Sequence, residues 1–202
     1  MTFIFFIIVL LISAILHEVS HGVVANALGD STAKDAGRLT LNPIPHVDFF
    51  GSIVLPALLM ITGSGVVIAW AKPVPVNPAR LRDERWGYAK VSLAGPASNL
   101  LLALVFGLAL RFLPLHAMPV LSSLLGIVVE VNLWLALFNL VPIPPLDGSH
   151  LLFSLLPNSL RVVRMFLQQY WLVLLLVFIL FFSYWINVLM RLLFIFIVGT
   201  PL

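Results

Sequence analysis

The residues best suited to chemistry are 17–21, which read His-Glu-Val-Ser-His. Positions i and i+4 of a helix lie on one face, so the imidazoles of His17 and His21 point the same way. Two such imidazoles suit a tetrahedral zinc ion, and Glu18 between them is placed to take a proton from water. The alternative is a helix end at a membrane surface, where both histidines are satisfied and Glu18 is solvated.

A catalytic zinc ion usually has three protein ligands and an open position for water, so a third residue is needed. The candidates are acidic residues in apolar surroundings and the remaining histidines: Glu18, Glu130, Asp147, His46, His116 and His150. Asp147 follows three prolines within residues 142–145, which unwind a helix, and Gly148 lets the chain turn beside the carboxylate. Asp147 can therefore reach a metal on another helix, cap the short helix that follows, or do both.

The composition excludes a soluble enzyme, a disordered chain and a fibrous protein. Hydrophobic residues make up 61% of the 202 residues and charged residues 9%, whereas soluble chains carry about 25% charged residues. The mean hydropathy is +1.13. An integral membrane protein remains, and ionisable residues inside an apolar span are functional by default. There are no cysteines, so disulfides, thiolate ligands and cysteine nucleophiles are excluded.

The net charge of +3 is explained by membrane orientation better than by nucleic acid, which is not expected as a partner. Five of the 11 basic residues lie between Lys72 and Lys90, in a loop between hydrophobic segments. The predicted helices 89–113 and 120–141 form a hairpin around the uncharged loop 113–119. The loops 72–90 and 157–167 therefore lie on the same side of the membrane. Because both loops are basic, that side is predicted to be cytoplasmic, with the active site toward it.

Charge-free runs predict the elements of the fold. The predicted helices are 2–28, 89–113, 120–141 and 168–196, with a short helix at 148–156. At 50–71 a re-entrant segment, made feasible by Pro56, Gly63 and Gly65, is favoured over a plain span. The fold class is therefore an all-α polytopic integral membrane protein of about five to six transmembrane segments, with a helix broken at 142–147.

Four motifs, in order, resemble the site-2 protease family of intramembrane zinc metalloproteases. They are His17-Glu-Val-Ser-His21, Arg38-Leu-Thr-Leu-Asn42-Pro43-Ile-Pro-His46-Val-Asp48, Ala94-Gly95-Pro96-Ala-Ser-Asn99 and Asn139-Leu-Val-Pro-Ile-Pro-Pro-Leu-Asp147-Gly148. The resemblance covers residues 10–150. It implies that His17, His21 and Asp147 ligate one zinc ion and that Glu18 is the general base. It also implies that Asn139 orients the substrate backbone or the oxyanion.

The resemblance sets the functional expectation. Residues 1–202 form a single membrane-embedded metalloprotease domain without room for PDZ or CBS modules, with a catalytic core at about 10–156 and a C-terminal transmembrane helix at about 168–196. The enzyme would hydrolyse a peptide bond within or near the transmembrane segment of membrane protein substrates, in regulated intramembrane proteolysis. The alternatives are a metal-binding transporter and a catalytically inactive protein that binds membrane helices. The intact Glu18 argues against both.

Other polar and aromatic residues have open roles. His46 either gates a cavity or stabilises its loop, and Asn99 is expected to hydrogen-bond across helices near the active site. Gly95 and Pro96 are expected to allow close packing or a kink. His150 is interpreted as interfacial rather than as a neighbour of the metal. A polar cavity that supplies water to the metal is expected to be lined by Ser20, Asn139, Asp147 and Ser149. Glu130 is a candidate partner of Arg111, although their estimated depths match poorly. The aromatic residues expected to anchor the chain at the membrane interface are Tyr170, Trp171, Tyr184 and Trp185.

Overall fold

The computed structural model describes residues 2–48, 72–83, 85–114 and 118–199, together with the single positions 54, 58 and 61. Within these ranges the regular structure is helical. The α-helices are α1 (Thr2–Ala27), α2 (Thr32–Asp35), α3 (Gly87–Phe112), α4 (Pro119–Asn139), α5 (Asp147–Leu155), α6 (Arg161–Gln169) and α7 (Trp171–Val198). Short 3-10 turns occur at Ile44–His46, Pro78–Arg80 and Asn158–Leu160.

Four of these helices are long and apolar enough to cross a membrane. They are α1 and α3 with 26 residues each, α4 with 21 and α7 with 28. About 20 apolar residues suffice to cross the hydrocarbon core. The prediction of an all-α polytopic membrane protein is therefore confirmed, and the ends of α1, α3 and α4 lie within two residues of those predicted. The predicted re-entrant segment at 50–71 lies outside the described residues, apart from three single positions.

Hydrogen bonds show which helix ends lie side by side at each of the two levels of the bundle, that is, at its two opposite ends. At one level the start of α3 lies beside the end of α1, where the backbone N–H of Arg82 donates to the Leu28 carbonyl over 2.9 Å. At the other level Arg111, near the end of α3, donates to the Phe196 carbonyl of α7 over 3.0 Å. A cation at a helix C-terminus also interacts favourably with the helix dipole.

Helix α3 is the centre of the bundle and packs against α1, α4, α5 and α7. The core on the Arg111 side joins α3, α4 and α7 through side chains that are almost fully buried: Ala103, Val129, Leu133, Met190, Phe194 and Val198. Removing apolar surface from water stabilises a soluble core by about 25 cal/mol per Å². This driving force is absent between helices in lipid, so close packing stabilises the core here. Small residues such as Ala103 allow that packing.

The helix break at 142–147 is confirmed. Helix α4 ends at Asn139, residues 140–146 form turns, and α5 begins at Asp147. The backbone N–H of Ser149 donates to the Leu146 carbonyl over 3.0 Å, which closes the first turn of α5. The proline-rich sequence therefore places Asp147 at the start of a new helix.

Two predictions about the C-terminal third are corrected. Residues 161–169 form the helix α6 rather than part of a loop, and the spanning helix begins at Trp171 rather than at 168. In α6 the polar Arg161, Arg164 and Gln168 alternate at helical spacing with exposed apolar residues such as Phe166, so the segment is an amphipathic helix. The predicted anchors Tyr170, Trp171, Tyr184 and Trp185 are exposed.

Glu130 and Arg111, whose depths estimated from the sequence match poorly, interact with different groups. Arg111 donates to the backbone carbonyls of Phe196 and Ile197. Glu130 interacts electrostatically with Arg191 of α7 instead. Helix α7 therefore supplies the cation that acts on Glu130.

Candidate metal centre

The structure brings His17, His21 and Asp147 together. Their potential ligand atoms all lie within 4.8 Å of one another. Asp147 Oδ2 is 3.0 Å from His17 Nε2 and 3.3 Å from His21 Nε2. The two imidazoles project from one face of α1, as the i, i+4 spacing predicts, and Asp147 reaches them from the first turn of α5.

The second nitrogen of each imidazole is held by a hydrogen bond to the protein. His21 Nδ1 donates to the Val91 carbonyl over 2.7 Å, and His17 Nδ1 donates to Asn99 Oδ1 over 2.6 Å. A carbonyl only accepts, so His21 donates from Nδ1, and its Nε2 is the nitrogen that faces Asp147. Two imidazole nitrogens and a carboxylate oxygen then converge, and this donor set suits zinc.

Gly95 of α3 leaves the space in which these donor atoms meet. A Cβ added at this position would lie 2.5 Å from both His17 Nε2 and His21 Nε2. Contacts that short do not occur between real atoms, so any larger residue would occupy the position where the imidazoles present their lone pairs. Gly95 thus allows the close packing that was predicted for it, because its missing side chain leaves room for the two imidazoles on the α3 side of the centre.

Glu18 is held from outside its own helix. Its Oε2 accepts a hydrogen bond from the backbone N–H of Val74 over 2.7 Å. Val74 lies in an irregular segment at 72–77 that two further contacts fix in place. The buried Arg38 side chain donates to the Lys72 carbonyl over 2.7 Å, and the Lys72 N–H donates to the His46 carbonyl over 2.8 Å.

His46 stabilises its loop, which was one of its two predicted roles. The side chain is fully buried, and its Nε2 donates to the Thr40 carbonyl over 2.8 Å. Its backbone carbonyl receives the Lys72 N–H described above. Arg38 and His46 therefore connect the loop at 37–48 to the segment that touches Glu18.

Several predicted site residues are not brought to the cluster by the contacts that the structure gives. Asn139 donates its side-chain amide to the Leu135 carbonyl, one turn earlier in α4, over 2.9 Å. The hydroxyls of Ser20 and Ser149 donate to the Leu16 and Leu146 carbonyls, each over 2.7 Å. These three polar groups are therefore bonded to local backbone, and none of them lines the cleft described below. His116 lies outside the described residues.

A different cleft opens beside the centre, between the start of α3, α5 and α6. It has a volume of about 730 Å³, and its lining includes Tyr88, His150, Arg85 and Arg164. The His150 ring lies 4.6 Å from the Tyr88 ring, measured between centroids. Burial lowers the pKa of the His150 imidazole, and the charge of Asp147 opposes that effect only in part. Burial therefore favours the neutral imidazole of His150, and the lining of the cleft includes none of His17, His21 and Asp147.

Sequence reasoning missed two buried polar residues that bear on His17. Asn132 of α4 donates a hydrogen bond to the hydroxyl of Ser13 of α1, and Asn99 donates to Asn132. The signal in the sequence was available, because a polar side chain in an apolar span needs a partner. The expected cross-helix role of Asn99 is found, and its partner on α1 is the imidazole of His17.

Comparison with known proteins assigns the family. The model of peptidase family M50 matches residues 114–183. The protein "Putative zinc metalloprotease YwhC" of Bacillus subtilis is 40% identical over 164 residues, which cover 78% of this chain and 71% of that protein. A relative in Mycolicibacterium smegmatis, "Putative zinc metalloprotease Rip2", is 36% identical over 140 residues, 68% of this chain.

The extent of these matches differs between the relatives. The matched region spans about half the length of the mycobacterial relative, at 52%. No solved structure gives a significant match. The identity to the Bacillus protein over most of both chains decides the assignment. The chain belongs to peptidase family M50, the site-2 protease family, and is a membrane metalloprotease.

Proposed function

We propose that this metalloprotease binds one zinc ion and hydrolyses a peptide bond within or near the transmembrane segment of membrane protein substrates. The single observation that carries the proposal is the convergence of His17, His21 and Asp147 within a helix bundle of spanning length. Regulated intramembrane proteolysis, in which such a cut releases part of a membrane protein, is the process this activity would serve.

The depth of the centre supports a cut inside the membrane. At a rise of 1.5 Å per residue, His17 lies about 15 Å and His21 about 9 Å from the C-terminal end of α1. Gly95 lies about 12 Å from the start of α3, which is adjacent to that end. A hydrocarbon core is about 30 Å thick, so with the ends of α1 and α3 placed at its boundary these distances put the centre below the membrane surface. Substrate residues that reach the centre therefore lie inside the bilayer.

The chain's own residues have distinct proposed roles. His17, His21 and Asp147 would hold the zinc ion, which when bound acts as a Lewis acid and lowers the pKa of water. Glu18 accepts the proton of the attacking water and passes it to the leaving amine as the C–N bond breaks. The Val74 N–H fixes the carboxylate for this task. Asn139 orients the substrate backbone or the oxyanion.

The expected substrates are single-span transmembrane proteins or peptides that unwind easily. A helix keeps its backbone carbonyls in hydrogen bonds, so a carbonyl must be freed before water can attack it. Glycine and proline weaken a helix, and both are tolerated in transmembrane segments. We therefore expect cleavage to depend on such residues near the cut.

We further propose that the centre lies toward the cytoplasmic side. Nine of the 11 basic residues belong to segments beside the end of α1, the start of α3 or the helices α5 and α6: Lys34, Arg38, Lys72, Arg80, Arg82, Arg85, Lys90, Arg161 and Arg164. The other two are Arg111 and Arg191. An excess of lysine and arginine in short loops marks the cytoplasmic face. Asp147 and His21 lie toward this basic end.

The test combines zinc content with cleavage in proteoliposomes. The probes are single-span peptides that differ only in a central Gly-Pro pair. Wild type should hold about one zinc ion and cut the Gly-Pro peptide faster. His17→Ala should lose both properties. Glu18→Gln should keep the zinc and lose the cleavage, and Glu130→Gln is the control with an intramembrane carboxyl removed elsewhere. Zinc without cleavage of any peptide would favour a transporter or a helix-binding protein.

A further inference from the structure

A continuous buried hydrogen-bond chain connects three spanning helices to His17. Asn99 of α3 accepts from His17 Nδ1 over 2.6 Å and donates to Asn132 Oδ1 of α4 over 2.9 Å. Asn132 in turn donates to Ser13 Oγ of α1 over 3.0 Å and to the Val128 carbonyl over 2.8 Å. Asn99 and Asn132 are fully buried, and Ser13 is 3% exposed.

The direction of this chain is fixed by two backbone carbonyls. A carbonyl only accepts, so the Asn132 group that faces Val128 is the amide nitrogen, and Asn132 Oδ1 faces Asn99. Likewise the Asn99 nitrogen faces the Ser13 carbonyl at 3.3 Å, which leaves Asn99 Oδ1 to face His17. His17 Nδ1 must then carry the proton. Its Nε2 faces Asp147 Oδ2 over 3.0 Å, so a metal bound between them would take the Nε2 lone pair.

This arrangement does more than satisfy polar groups. Buried amides cost free energy unless they are hydrogen-bonded, and replacing a bonded pair by apolar groups of similar shape is often nearly neutral for stability. One end of the hydrogen-bond chain is a proposed metal ligand, His17. Outer partners of ligating histidines set the tautomer and the ring orientation, and their loss lowers metal affinity about 10- to 100-fold.

We propose that Asn99, Asn132 and Ser13 are positioning residues that hold His17 in its Nδ1-protonated form and aim Nε2 at the metal position. The inference rests on the proposed zinc centre and extends it to helix α4, which supplies no ligand. Asn99 acts directly on the imidazole. Asn132 and Ser13 act through Asn99, because they prevent its amide from rotating and presenting a donor to His17.

The test measures zinc affinity of the purified full-length protein by competition with a chromogenic chelator. Asn99→Leu should lower the affinity about 10- to 100-fold, and Asn132→Leu should lower it less. The double variant should resemble Asn99→Leu alone, because the residues act in series. Asn187→Leu is the matched control. It removes the Trp134–Asn187 hydrogen bond between α4 and α7, 3.0 Å long, and should leave zinc affinity unchanged.

Rescue separates positioning from mere structure. Asn99→Asp keeps an oxygen to accept from His17 Nδ1, so it should bind zinc more tightly than Asn99→Leu. Thermal unfolding of the metal-free variants reports any general loss of stability, and Ser13→Ala provides a milder change if Asn99→Leu does not fold. Wild-type zinc affinity in folded Asn99→Leu would overturn the inference. Wild-type zinc affinity in both single variants, Ser13→Ala and Asn132→Leu, would overturn it as well. Absence of zinc binding by wild type would overturn the metal centre itself.

Discussion

The backbone N–H of Val74 donates a hydrogen bond to Glu18 Oε2 over 2.7 Å, although the two residues are 56 positions apart. Glu18 lies on a spanning helix, whereas Val74 lies in an irregular segment held by Arg38 and by the carbonyl of His46. A charged acceptor strengthens such a bond, which contributes about 1.5 to 3 kcal/mol. The proposed general base is therefore positioned by a loop and not by its own helix.

Val74→Pro should lower proteolysis without loss of zinc. Proline has no backbone N–H, so the substitution removes the donor that faces Glu18 and leaves His17 and His21 untouched. We expect cleavage of a transmembrane peptide to fall about tenfold or more, in line with a charge-assisted bond. The measurement is the cleavage rate together with zinc content, and Val74→Ala, which keeps the N–H, is the control. An equal fall in both variants would assign the effect to side-chain packing.

Gly95→Ala should abolish zinc binding while the bundle stays folded. The added methyl would lie 2.5 Å from the Nε2 atoms of His17 and His21, where the lone pairs converge. Gly107→Ala is a matched control on the same helix, because its methyl would lie 2.5 Å from Ile197 Cγ2 and far from the centre in sequence. Zinc content and circular dichroism of both variants give the answer. Full zinc content in Gly95→Ala would contradict the proposed ligand geometry.

The parts of the site that sequence predicts best are those determined locally. His17 and His21 lie four residues apart on one helix, so their shared face follows from helix geometry alone. Asp147 lies 130 residues from His17, and only its position after the prolines and the family resemblance indicated that it would reach the metal centre. The spans themselves follow from charge-free runs of sufficient length.

Other features have no local signature. The donor to Glu18 is a backbone N–H, which every residue except proline carries, so no residue type at position 74 predicts it. The choice of Asn99 as partner of His17, and of Asn132 as partner of Asn99, depends on how α1, α3 and α4 pack. Helix α6 was missed because its arginines suggested a loop, although its apolar residues recur at helical spacing.

Removal of the metal should destabilise the contact between α1 and α5. Helix α5 packs against α3, and Asp147 is the residue by which it reaches the two histidines. A ligand that binds only the folded state raises stability by RT ln(1 + [L]/Kd), which is about 2.7 kcal/mol at 100 times Kd. Chelator treatment should therefore lower Tm, and added zinc should restore it. In His17→Ala neither treatment should change Tm; a zinc-dependent rise there would place the stabilising ion elsewhere.

Asp30→Asn should destabilise the metal-free protein near neutral pH and lose that effect in acid. The buried carboxylate accepts hydrogen bonds from the backbone N–H of Asn77 at 2.6 Å and of Thr32 at 3.0 Å, and from the Thr32 hydroxyl. Although burial opposes the shift, these hydrogen bonds and nearby Arg80 lower the pKa of Asp30 below its usual 3.8.

A lowered pKa in the folded state means that Asp30 contributes stability above its unfolded pKa, and that this contribution is lost as the pH falls through its folded pKa. Wild type should therefore have a higher Tm than Asp30→Asn at pH 6, and the difference should shrink as the pH falls below about 4. Metal-free samples keep the zinc centre out of the comparison. Asp35→Asn, which changes an exposed carboxylate bonded to Ser31, is the control and should show little difference at either pH. A constant difference between wild type and Asp30→Asn from pH 6 to pH 3 would mean that the charge of Asp30 does not stabilise the junction between α1 and residues 77–80.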